Sequence, residues 1–528
     1  MARILVSDKI SKEGLVILQS GGYEVVEKPE ITAEELAKEI GEYDALVIRS
    51  RTTVSAETLS NPGKLKVIGR AGVGVDNVDV KTASKLGIIV MNTPGGNTIS
   101  TAEHTMAMIM SLARSTPQAD RSMHEGRWDK KKYVGVELYR KTLGIVGLGR
   151  IGTEVAKRAL AFGMRVMAYD PYMSAEVVKR LGITQAGIDE ICKESDFITV
   201  HTPLNDATRG LIGPAQFDMM KKSVRIINCA RGGIIQESAL VEALKSGKVA
   251  GAALDVFEQE PLPADHPLRA FDNVALTPHL GAATSEAQEG VAKEVAEQIV
   301  DCLSGRVIRN AVNAPSADPS VLEQLRPYID LARRLGKFVS QFAGKPVSQL
   351  RVSCSGAIAD YPIAPISISA LVGFLDPITE STVNFVNAGL IAKERGIEVV
   401  EVKSTKVFDF TNLISVEVVT EAGEAVWVGG TLAHNKFPRI VVVNDKFFDV
   451  TPEGFLVVIE NRDVPGIIGS VGTLLGNRRI NIGQMTWGRT EDGNEAITVI
   501  NVDQEIRKEL LDELTALPDI ISARLIHI

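Results

Sequence analysis

Short apolar runs alternate with amphipathic stretches along the first half of the chain. The runs have the length of strands buried on both faces, and between them apolar residues recur every three or four positions, as in helices that cover a sheet. Strands are predicted at residues 3–6, 23–26, 45–49, 66–68 and 88–91. After a long helical pattern over 100–114, further strands are predicted at 142–146, 165–169, 197–201, 225–229, 250–254 and 273–277. The two series predict two doubly wound α/β domains with parallel sheets.

The pattern changes after a helical stretch over 284–304. Residues 311–319 contain two prolines among small side chains, which predicts a linker. The following segment carries no motif typical of catalysis and mixes helical patterns with strand-like runs: helices over 321–342 and 377–394, strands at 349–354, 414–420 and 439–443. The last segment predicts strands at 455–460, 480–486, 496–502 and 520–526, with helices over 465–475 and 505–517. That βαββαβ order predicts a ferredoxin-like fold, whose small size and polar first loop suit ligand sensing.

Composition narrows the class of protein. A chain of 528 residues is too long for one hydrophobic core, and its net charge of −8 argues against nucleic acid or an anionic membrane surface as a partner. No stretch has the length and hydropathy of a membrane span, and residues 1–6 lead into a strand rather than forming a signal peptide. The cysteines are scattered and lack metal-ligand spacing, so we expect no metal: Cys192, Cys229, Cys302 and Cys354. Cys192 and Cys229 lie in apolar contexts, where reduced, buried thiols are expected. These features predict a cytoplasmic, multi-domain enzyme.

The run Gly147-Leu148-Gly149-Arg150-Ile151-Gly152 follows the predicted strand 142–146 and opens a helical pattern. In a dinucleotide-binding turn the first glycine makes the tight turn, the second lets the backbone approach a pyrophosphate, and the third lets the helix pack closely. Free N–H groups at the helix start suit a diphosphate. Asp170, at the end of the next strand, can accept hydrogen bonds from a ribose 2′-hydroxyl and would repel a 2′-phosphate. This order of elements predicts NAD in preference to NADP.

Beyond this turn lie side chains with the chemistry that a hydride transfer needs. Arg231, Glu260 and His279 each follow a predicted strand, and the carboxyl ends of parallel strands meet where a doubly wound sheet assembles its site. Imidazole titrates near neutral pH, so His279 can take a proton from an alcohol and return it. A carboxylate can fix the imidazole tautomer, and a guanidinium matches a carboxylate through two hydrogen bonds. Glu258 is a competing candidate for the carboxylate.

A family resemblance rests on the glycine-rich turn together with Asn228-Cys229-Ala230-Arg231-Gly232-Gly233, Ala253-Leu254-Asp255-Val256-Phe257 and Pro278-His279-Leu280-Gly281. With these motifs the chain resembles the D-isomer-specific 2-hydroxyacid dehydrogenase family, and over its whole length it resembles the long, multi-domain members. The resemblance implies NAD-dependent oxidation of D-3-phosphoglycerate to 3-phosphohydroxypyruvate, the first step of L-serine biosynthesis. It implies His279 as the general acid/base and Glu260, rather than Glu258, as its partner. Arg231 would bind the substrate carboxylate and polarise the carbonyl.

The same resemblance assigns further contacts, residue by residue. Arg49 and Arg70 are the expected phosphate clamp, and Gly72 and Asn97 are expected to contact the substrate. Cofactor contacts are expected from the glycine-rich turn and from positions near strand ends: Gly147, Gly149, Arg150, Ile151, Gly152, Asp170, Val73, Thr202, Cys229, Ala230, Asp255 and Gly281.

The resemblance also implies the architecture. It divides the chain into a flavodoxin-like substrate-binding domain (residues 1–97 and 283–313), a Rossmann-like NAD-binding domain (98–282), an α+β intervening regulatory domain (318–452) and a ferredoxin-like ACT domain (453–528). The ACT resemblance rests on Asn461-Arg462-Asp463-Val464-Pro465-Gly466-Ile467-Ile468-Gly469. It implies feedback by L-serine, with Asp463 and Asn481 as ligand contacts, and a homotetramer.

Two other functions are compatible with the sequence. A dehydrogenase for another D-2-hydroxy acid, such as glycerate or glyoxylate, shares the motifs but needs no phosphate clamp, and the C-terminal sensor is not typical of it. An NAD-sensing protein without catalytic activity shares the fold as well. Turnover of a keto acid distinguishes these functions.

Overall fold

The computed structural model describes residues 2–306, 308–315, 319–379, 382–404, 410–490 and 493–528. Within these residues the strands form sheets of five, seven, six and four strands in chain order. The predicted fold class, two α/β domains followed by an α+β region and a ferredoxin-like domain, is confirmed. In the described part of the chain, no helix combines the length and apolarity needed to cross a bilayer.

The N-terminal domain is built on a parallel five-stranded sheet. Its elements are β1 (Arg3–Val6), α1 (Lys12–Ser20), β2 (Glu24–Glu27), α2 (Ala33–Glu39), β3 (Ala45–Ile48), β4 (Val67–Arg70), α3 (Val80–Lys85) and β5 (Ile89–Met91). The strand order β2-β1-β3-β4-β5 is that of flavodoxin-like domains. All residues of β3 are buried because both faces of the sheet are covered. Since Ile48 pairs with Arg70, the side chains of Arg49 and Arg70 leave the same edge of the sheet.

The fingerprint domain, which contains the glycine-rich turn, follows. Its elements are α4 (Thr98–Arg114), α5 (Thr116–His124), β6 (Thr142–Val146), α6 (Arg150–Ala161), β7 (Arg165–Tyr169), α7 (Ala175–Arg180), β8 (Thr184–Gln185), α8 (Ile188–Glu194), β9 (Phe197–Val200), α9 (Pro214–Met219), β10 (Arg225–Asn228), α10 (Glu237–Lys245), β11 (Gly251–Leu254) and β12 (Val274–Leu276). The parallel sheet has the order β8-β7-β6-β9-β10-β11-β12. Because the order reverses at β6, the glycine-rich turn lies at the position where such sheets bind dinucleotides.

A long helix, α11 (Ser285–Leu303), returns the chain to the N-terminal domain. It packs against α1 and β4, and Val291, Val295 and Ile299 belong to the same core as the strands of that domain. Farther along, the Val312 N–H donates to the Val90 carbonyl. The N-terminal domain is therefore made of two chain segments, and a cleft separates it from the fingerprint domain.

The middle domain follows the second segment. Its elements are α12 (Pro319–Ala343), β13 (Val347–Gly356), α13 (Ala364–Leu375), α14 (Ala388–Glu394), β14 (Glu398–Ser404), β15 (Asn412–Thr420), β16 (Ala425–Ala433), β17 (Phe437–Val443) and β18 (Lys446–Val450). The sheet order is β14-β13-β15-β16-β17-β18, and only the pairing of β13 with β14 is parallel. Helices α12 and α13 are in close contact, because a Cβ on Gly336 would lie 2.0 Å from the Ala370 carbonyl oxygen.

The helix predicted over 377–394 is wrong for much of its length. Apart from a short 3-10 turn at Asp376–Ile378, only α14 is helical there, and residues 380–381 lie outside the described chain. Side chains take the place of helical hydrogen bonds: Asn387 Oδ1 accepts the Asn384 N–H at 2.8 Å, and Asn387 Nδ2 donates to the Thr382 carbonyl at 2.9 Å. Strands β14, β16 and β18 were not predicted. Of the predicted linker, residues 316–318 lie outside the described residues.

The C-terminal domain has the predicted βαββαβ order. Its elements are β19 (Phe455–Arg462), α15 (Ile467–Asn477), β20 (Ile482–Arg489), β21 (Glu495–Val502), α16 (Lys508–Thr515) and β22 (Ile520–His527). The sheet is antiparallel with the order β20-β21-β19-β22. Side chains of this sheet join the core formed by α12 and the middle sheet: Leu456, Val458, Ile497, Val499 and Ile526. The two C-terminal domains therefore share one hydrophobic core.

Candidate active site

Two glycines of the turn after β6 are required by its geometry. Gly147 has a φ of +96°, and a Cβ on it would lie 2.7 Å from the carbonyl oxygen of His201. A Cβ on Gly152 would lie 2.1 Å from the carbonyl oxygen of Gly147, so α6 packs directly on the turn. A side chain at either position would push the start of the helix away from the sheet.

The middle glycine, Gly149, faces open space instead. A Cβ on Gly149 would have no heavy atom of the rest of the described chain within 4 Å, and no side chain caps the N-terminus of α6. Asp170 lies beside the turn, where its carboxylate accepts the N–H groups of Leu148 at 2.8 Å and Tyr172 at 2.9 Å. The turn thus offers uncapped N–H groups next to a fixed carboxylate, which fits the diphosphate and the ribose of a dinucleotide.

His201 and Thr202 form the wall after β9. Burial lowers the pKa of His201 to about 4, so this imidazole is neutral at physiological pH and unsuited to accept the substrate proton. Thr202 Oγ1 is buried and has no hydrogen-bond partner within the described residues. Because buried hydroxyl groups are normally hydrogen-bonded, this orphaned oxygen fits a bound ligand that supplies the partner.

His279 and Glu260 form a hydrogen-bonded pair beyond β12 and β11. His279 Nδ1 lies 2.8 Å from Glu260 Oε2, and Glu260 Oε1 accepts the Phe257 N–H at 3.0 Å. Burial alone would raise the pKa of Glu260, but the hydrogen bonds from His279 and Phe257 and the charges of His279 and Arg231 hold this pKa below its ordinary value. Glu260 is therefore ionised at neutral pH, and His279 Nε2 is the ring nitrogen that remains for a ligand.

The competing carboxylate, Glu258, is engaged elsewhere. Its Oε1 accepts the Glu237 N–H at 2.9 Å, and Glu237 Oε1 accepts the Glu258 N–H at 2.6 Å. These reciprocal bonds join the start of α10 to the loop after β11. Of the two glutamates, Glu260 is the one that contacts His279.

The turn that carries His279 is built on Asp255, which is fully buried. Asp255 Oδ1 accepts the Leu280 N–H at 2.7 Å, Oδ2 accepts the Gly281 N–H at 2.8 Å, and the Asp255 carbonyl accepts the His279 N–H at 2.9 Å. His104 Nε2 lies 3.2 Å from Oδ1. His279 has a φ of +55°, a conformation that needs such support. In this structure Asp255 supports the turn, and its contact with the cofactor stays a prediction.

The loop after β10 is shaped by Asn228, which directs Arg231 into the cleft. Asn228 Nδ2 donates to the Arg231 carbonyl at 2.8 Å, and Asn228 Oδ1 accepts the Ala230 N–H at 3.0 Å. Arg231 Nε donates to Asp76 Oδ2 at 3.0 Å, and Nη1 donates to the Ala230 carbonyl at 2.7 Å. Burial raises the pKa of the Cys229 thiol to about 12, so this side chain is an uncharged part of the wall.

Arg49 and Arg70 face Arg231 from the N-terminal domain. Burial, with the nearby positive charges of Arg231 and Arg49, lowers the pKa of Arg70 to about 10, which leaves the group charged at neutral pH. Arg70 Nε donates to Asn77 Oδ1 at 3.2 Å. A Cβ on Gly72 would lie 2.3 Å from Arg70 Nη1, so the guanidinium lies against the main chain there. A cluster of like charges of this kind favours a multiply charged anion.

These side chains line one cavity of about 910 Å³ between the two domains. Asn97, at the start of α4, lines it too, and its Oδ1 is buried with no partner in the part of the chain that the structure describes. The predicted residues that line the cavity are Arg49, Arg70, Gly72, Val73, Asn97, Arg231, Glu260 and His279. The other predicted cofactor residues lie along the adjoining edge of the second sheet: Gly147, Gly149, Arg150, Ile151, Gly152, Asp170, Thr202, Cys229, Ala230, Asp255 and Gly281.

A second cavity, of about 790 Å³, opens beside the loop between β19 and α15. Asp463 lines it and forms an ion pair with Arg489, with Nε and Oδ2 2.9 Å apart. Trp487 also lines it, and its Nε1 is buried without a partner among the described residues. Asn481 is not part of the lining, and its Nδ2 donates to Asp503 Oδ2 at 2.6 Å. Within one chain the structure does not bring Asp463 and Asn481 together.

Asp76, Trp487 and Arg489 belong to these two cavities or their ion pairs but were not predicted from the sequence. The usable signal for Asp76 was an acid in the glycine-rich loop that follows β4, the same loop that begins at the predicted phosphate ligand Arg70. Trp487 and Arg489 alternate along β20, so they share a face of the strand, but nothing local shows that this face meets the Asp463 loop.

Comparison with protein families agrees with the geometry. The model described as "D-isomer specific 2-hydroxyacid dehydrogenase, NAD binding domain" matches residues 106–281. The model described as "D-3-phosphoglycerate dehydrogenase intervening domain" matches residues 324–444, and the "ACT domain" model matches residues 455–519.

Two solved structures resemble the first part of the chain. A glyoxylate reductase from Paecilomyes thermophila is 31% identical, with a TM-score of 0.55 over 59% of this chain and 98% of that one. A D-lactate dehydrogenase from Aquifex aeolicus, complexed with NAD and lactic acid, is 29% identical, with a TM-score of 0.53 over 60% of this chain and 100% of that one. Both support the fold of the two α/β domains.

Relatives similar over the full length decide the family. D-3-phosphoglycerate dehydrogenase from Bacillus subtilis is 46% identical and that from Archaeoglobus fulgidus 43% identical, each over 100% of both chains. The predicted family, the oxidoreductase class and NAD as the cofactor are thereby confirmed. The chain belongs to the D-3-phosphoglycerate dehydrogenases, the long members of the D-isomer specific 2-hydroxyacid dehydrogenase family.

Proposed function

We propose that this protein oxidises D-3-phosphoglycerate to 3-phosphohydroxypyruvate with NAD, the first step of L-serine biosynthesis. The observation that carries the proposal is the convergence of the His279–Glu260 pair with Arg49, Arg70 and Arg231 in one interdomain cavity. A proton-transfer pair and a cluster of guanidinium groups match a substrate that has an alcohol, a carboxylate and a phosphate. The full-length relatives of that name support the same reaction.

His279 is the proposed general acid/base. In oxidation its Nε2 takes the proton of the C2 hydroxyl, while NAD, when bound, would supply the acceptor for the hydride that leaves C2. Glu260 holds the Nδ1 side of the ring at 2.8 Å, so it sets the tautomer that leaves Nε2 free and stabilises the imidazolium that forms. Because the imidazole and the carboxylate are 46% and 37% exposed, the proton can then pass to solvent.

The arginines are proposed to divide the anionic groups of the substrate between them. Arg231 binds the carboxylate and polarises the oxygen on C2, while Arg49 and Arg70 bind the phosphate, with the Gly72 amide and Asn97 as further contacts. A phosphate monoester carries a charge of about −1.5 to −2 at neutral pH, so together with its carboxylate the substrate is the kind of multiply charged anion that a cluster of guanidinium groups favours.

The edge of the second sheet is the proposed cofactor site. The N–H groups at the start of α6, where Gly149 leaves open space, would hold the diphosphate, with Arg150 and Ile151 flanking it. Asp170 would accept the ribose hydroxyl groups, and Thr202 Oγ1 would gain the partner that it lacks. Contacts on the nicotinamide side are proposed for the remaining predicted residues: Val73, Cys229, Ala230, Asp255 and Gly281.

Consumption of NADH by the purified protein tests the reaction. The keto acids 3-phosphohydroxypyruvate, hydroxypyruvate and glyoxylate are compared in parallel, with NADPH as the cofactor control. A strong preference for the phosphorylated acid and for NADH is the expected result. Equal or better turnover of the unphosphorylated acids would contradict the phosphate clamp and favour another D-2-hydroxy acid as the substrate.

We further propose a cytoplasmic homotetramer that L-serine inhibits through the C-terminal domain. The Asp463–Arg489 pair in an open cavity supports a ligand that carries both a positive and a negative charge, and the position of Asn481 outside that cavity supports a site completed by a second copy.

Two exposed apolar side chains support a subunit interface: Trp128 and Val134 are 80% and 81% exposed. Free cysteines support a reducing compartment. Light scattering tests the oligomeric state, and a titration of turnover with L-serine tests the inhibition. A monomer in light scattering, or turnover that L-serine does not change, would contradict the corresponding part of the proposal.

A further inference from the structure

Asp76 and Arg231 join the two domains across the cleft. Arg231 follows β10 in the fingerprint domain, and Asp76 lies in the loop after β4 in the N-terminal domain, 155 residues earlier. Arg231 Nε donates to Asp76 Oδ2 at 3.0 Å. The side chain of Asp76 is 64% exposed and takes no part in the proton-transfer pair, so the proposed reaction leaves it without a role.

This contact decides which nitrogens of Arg231 remain for a ligand. Asp76 engages Nε, and the Ala230 carbonyl accepts a hydrogen bond from Nη1 at 2.7 Å. A Cβ on Gly74 would lie 1.8 Å from Arg231 Nη2 and 2.7 Å from Asp76 Oδ2, so the guanidinium lies against the main chain of Gly74. Each terminal nitrogen of a guanidinium carries two N–H groups. With Nε held, Nη2 and the second N–H of Nη1 are therefore the donors that can bind a carboxylate through two hydrogen bonds.

Folding stability does not account for the contact. Ion pairs as exposed as this one contribute little, because solvent screens the charges. The orientation of a long, flexible side chain matters far more where a substrate must be held within a fraction of an ångström of its reactive position. Asp76 also lies close enough to Arg70 to favour its charged form, which ties it to the whole arginine cluster.

We infer that Asp76 is a positioning residue for the substrate. From the opposite domain it holds Arg231 so that the terminal nitrogens face the carboxylate, and it makes that orientation depend on the closeness of the two domains. Gly74 contributes to the same orientation, because the absence of a side chain there leaves room for Arg231 Nη2. The inference rests on the proposed function, since that function assigns Arg231 to the substrate carboxylate.

Steady-state kinetics with 3-phosphohydroxypyruvate, or with whichever keto acid the protein prefers, test the inference. Asp76→Ala is expected to lower kcat/KM roughly 10- to 100-fold, while Asp76→Asn keeps an oxygen acceptor for Nε and retains most of the activity. Gly74→Ala is expected to act like Asp76→Ala, because its methyl group displaces Nη2. Asp272→Ala is the matched control: it removes an exposed ion pair with Lys132 that does not line the cavity, and kcat/KM stays unchanged.

A double-mutant cycle separates positioning from a general structural effect. In an Arg231→Ala background, Asp76→Ala is expected to change kcat/KM by less than about twofold, because the side chain through which Asp76 acts is gone. Equal effects of Asp76→Ala in both backgrounds, or wild-type kinetics of the single variant, would overturn the inference.

Labelling of arginine by phenylglyoxal, mapped by peptide mass, gives a readout without turnover. Asp76→Ala is expected to speed modification of Arg231 at its terminal nitrogens, because the guanidinium is no longer held against the main chain of Gly74. An unchanged labelling rate would count against the inference. If no keto acid is turned over, the proposed function fails, and the labelling experiment still decides whether Asp76 holds Arg231.

Discussion

Glu260→Gln removes the charge that faces His279 and keeps the size of the side chain. In the structure His279 Nδ1 and Glu260 Oε2 are 2.8 Å apart, and the side chains are 46% and 37% exposed. Two unit charges about 4 Å apart interact by about 4 kcal/mol at an effective dielectric constant of about 20. Because solvent screens a half-exposed pair, we expect about 1–2 kcal/mol of stabilisation of the imidazolium. At about 1.4 kcal/mol per factor of ten, oxidation should slow about 5- to 30-fold.

The assay is the pH dependence of kcat and kcat/KM for oxidation. Against the opposing effect of burial, hydrogen bonds from His279 and Phe257 hold the pKa of Glu260 below its ordinary value, so Glu260 is charged across the neutral range and its neutral replacement should move the acidic limb of the profile. Glu258→Gln is the matched control, because Glu258 bonds to the start of α10 and not to His279. An unchanged profile in Glu260→Gln, or the same shift in both variants, would refute the reasoning.

Further predictions concern other parts of the molecule. Gly152→Ala should lower Tm by several degrees, because a Cβ there would lie 2.1 Å from a carbonyl oxygen. Gly149→Ala should keep the Tm of the wild type and weaken NADH binding in a fluorescence titration. Equal Tm values for the two variants would contradict the packing argument. Arg70→Lys should raise KM for 3-phosphohydroxypyruvate about tenfold and leave KM for glyoxylate unchanged. An equal change in KM for both substrates would contradict the phosphate-binding role of Arg70. Asp463→Ala should abolish the response of turnover to L-serine, and a retained response would place the effector elsewhere. Deleting residues 453–528 exposes core side chains of the middle domain, each of which contributes about 1.5–3 kcal/mol to stability when buried. Hydrogen exchange in the middle domain should therefore rise. Retained protection would contradict a shared core.

Prediction from sequence succeeded where the signal is local. The strand, the glycine-rich turn and the helix around Gly147 lie within one short segment. The positive φ of Gly147 and the close approach of Gly152 to the Gly147 carbonyl both arise inside that segment. The same holds for the βαββαβ order at the end of the chain. Strand β16 was not predicted because its glycines interrupt the alternation of apolar and polar residues that indicates a strand. Their small size is needed for packing: a Cβ on Gly430 would lie 2.9 Å from the Leu331 side chain of α12. The segment before α14 was misassigned because Asn384 and Asn387 bond to the backbone in place of a helix.

By itself the sequence determined the α/β periodicity, the dinucleotide turn and the kinds of side chain at the strand ends, since these depend on neighbours along the chain. Only the tertiary structure decided which groups meet. From the residues alone Glu258 and Glu260 were alternatives. The structure distinguishes them, because Glu260 bonds to His279 and Glu258 bonds to Glu237. The Asp76–Arg231 contact and the core shared by the last two domains join distant segments. Such contacts depend on how whole sheets and helices pack against one another, and no local pattern of residues encodes that packing.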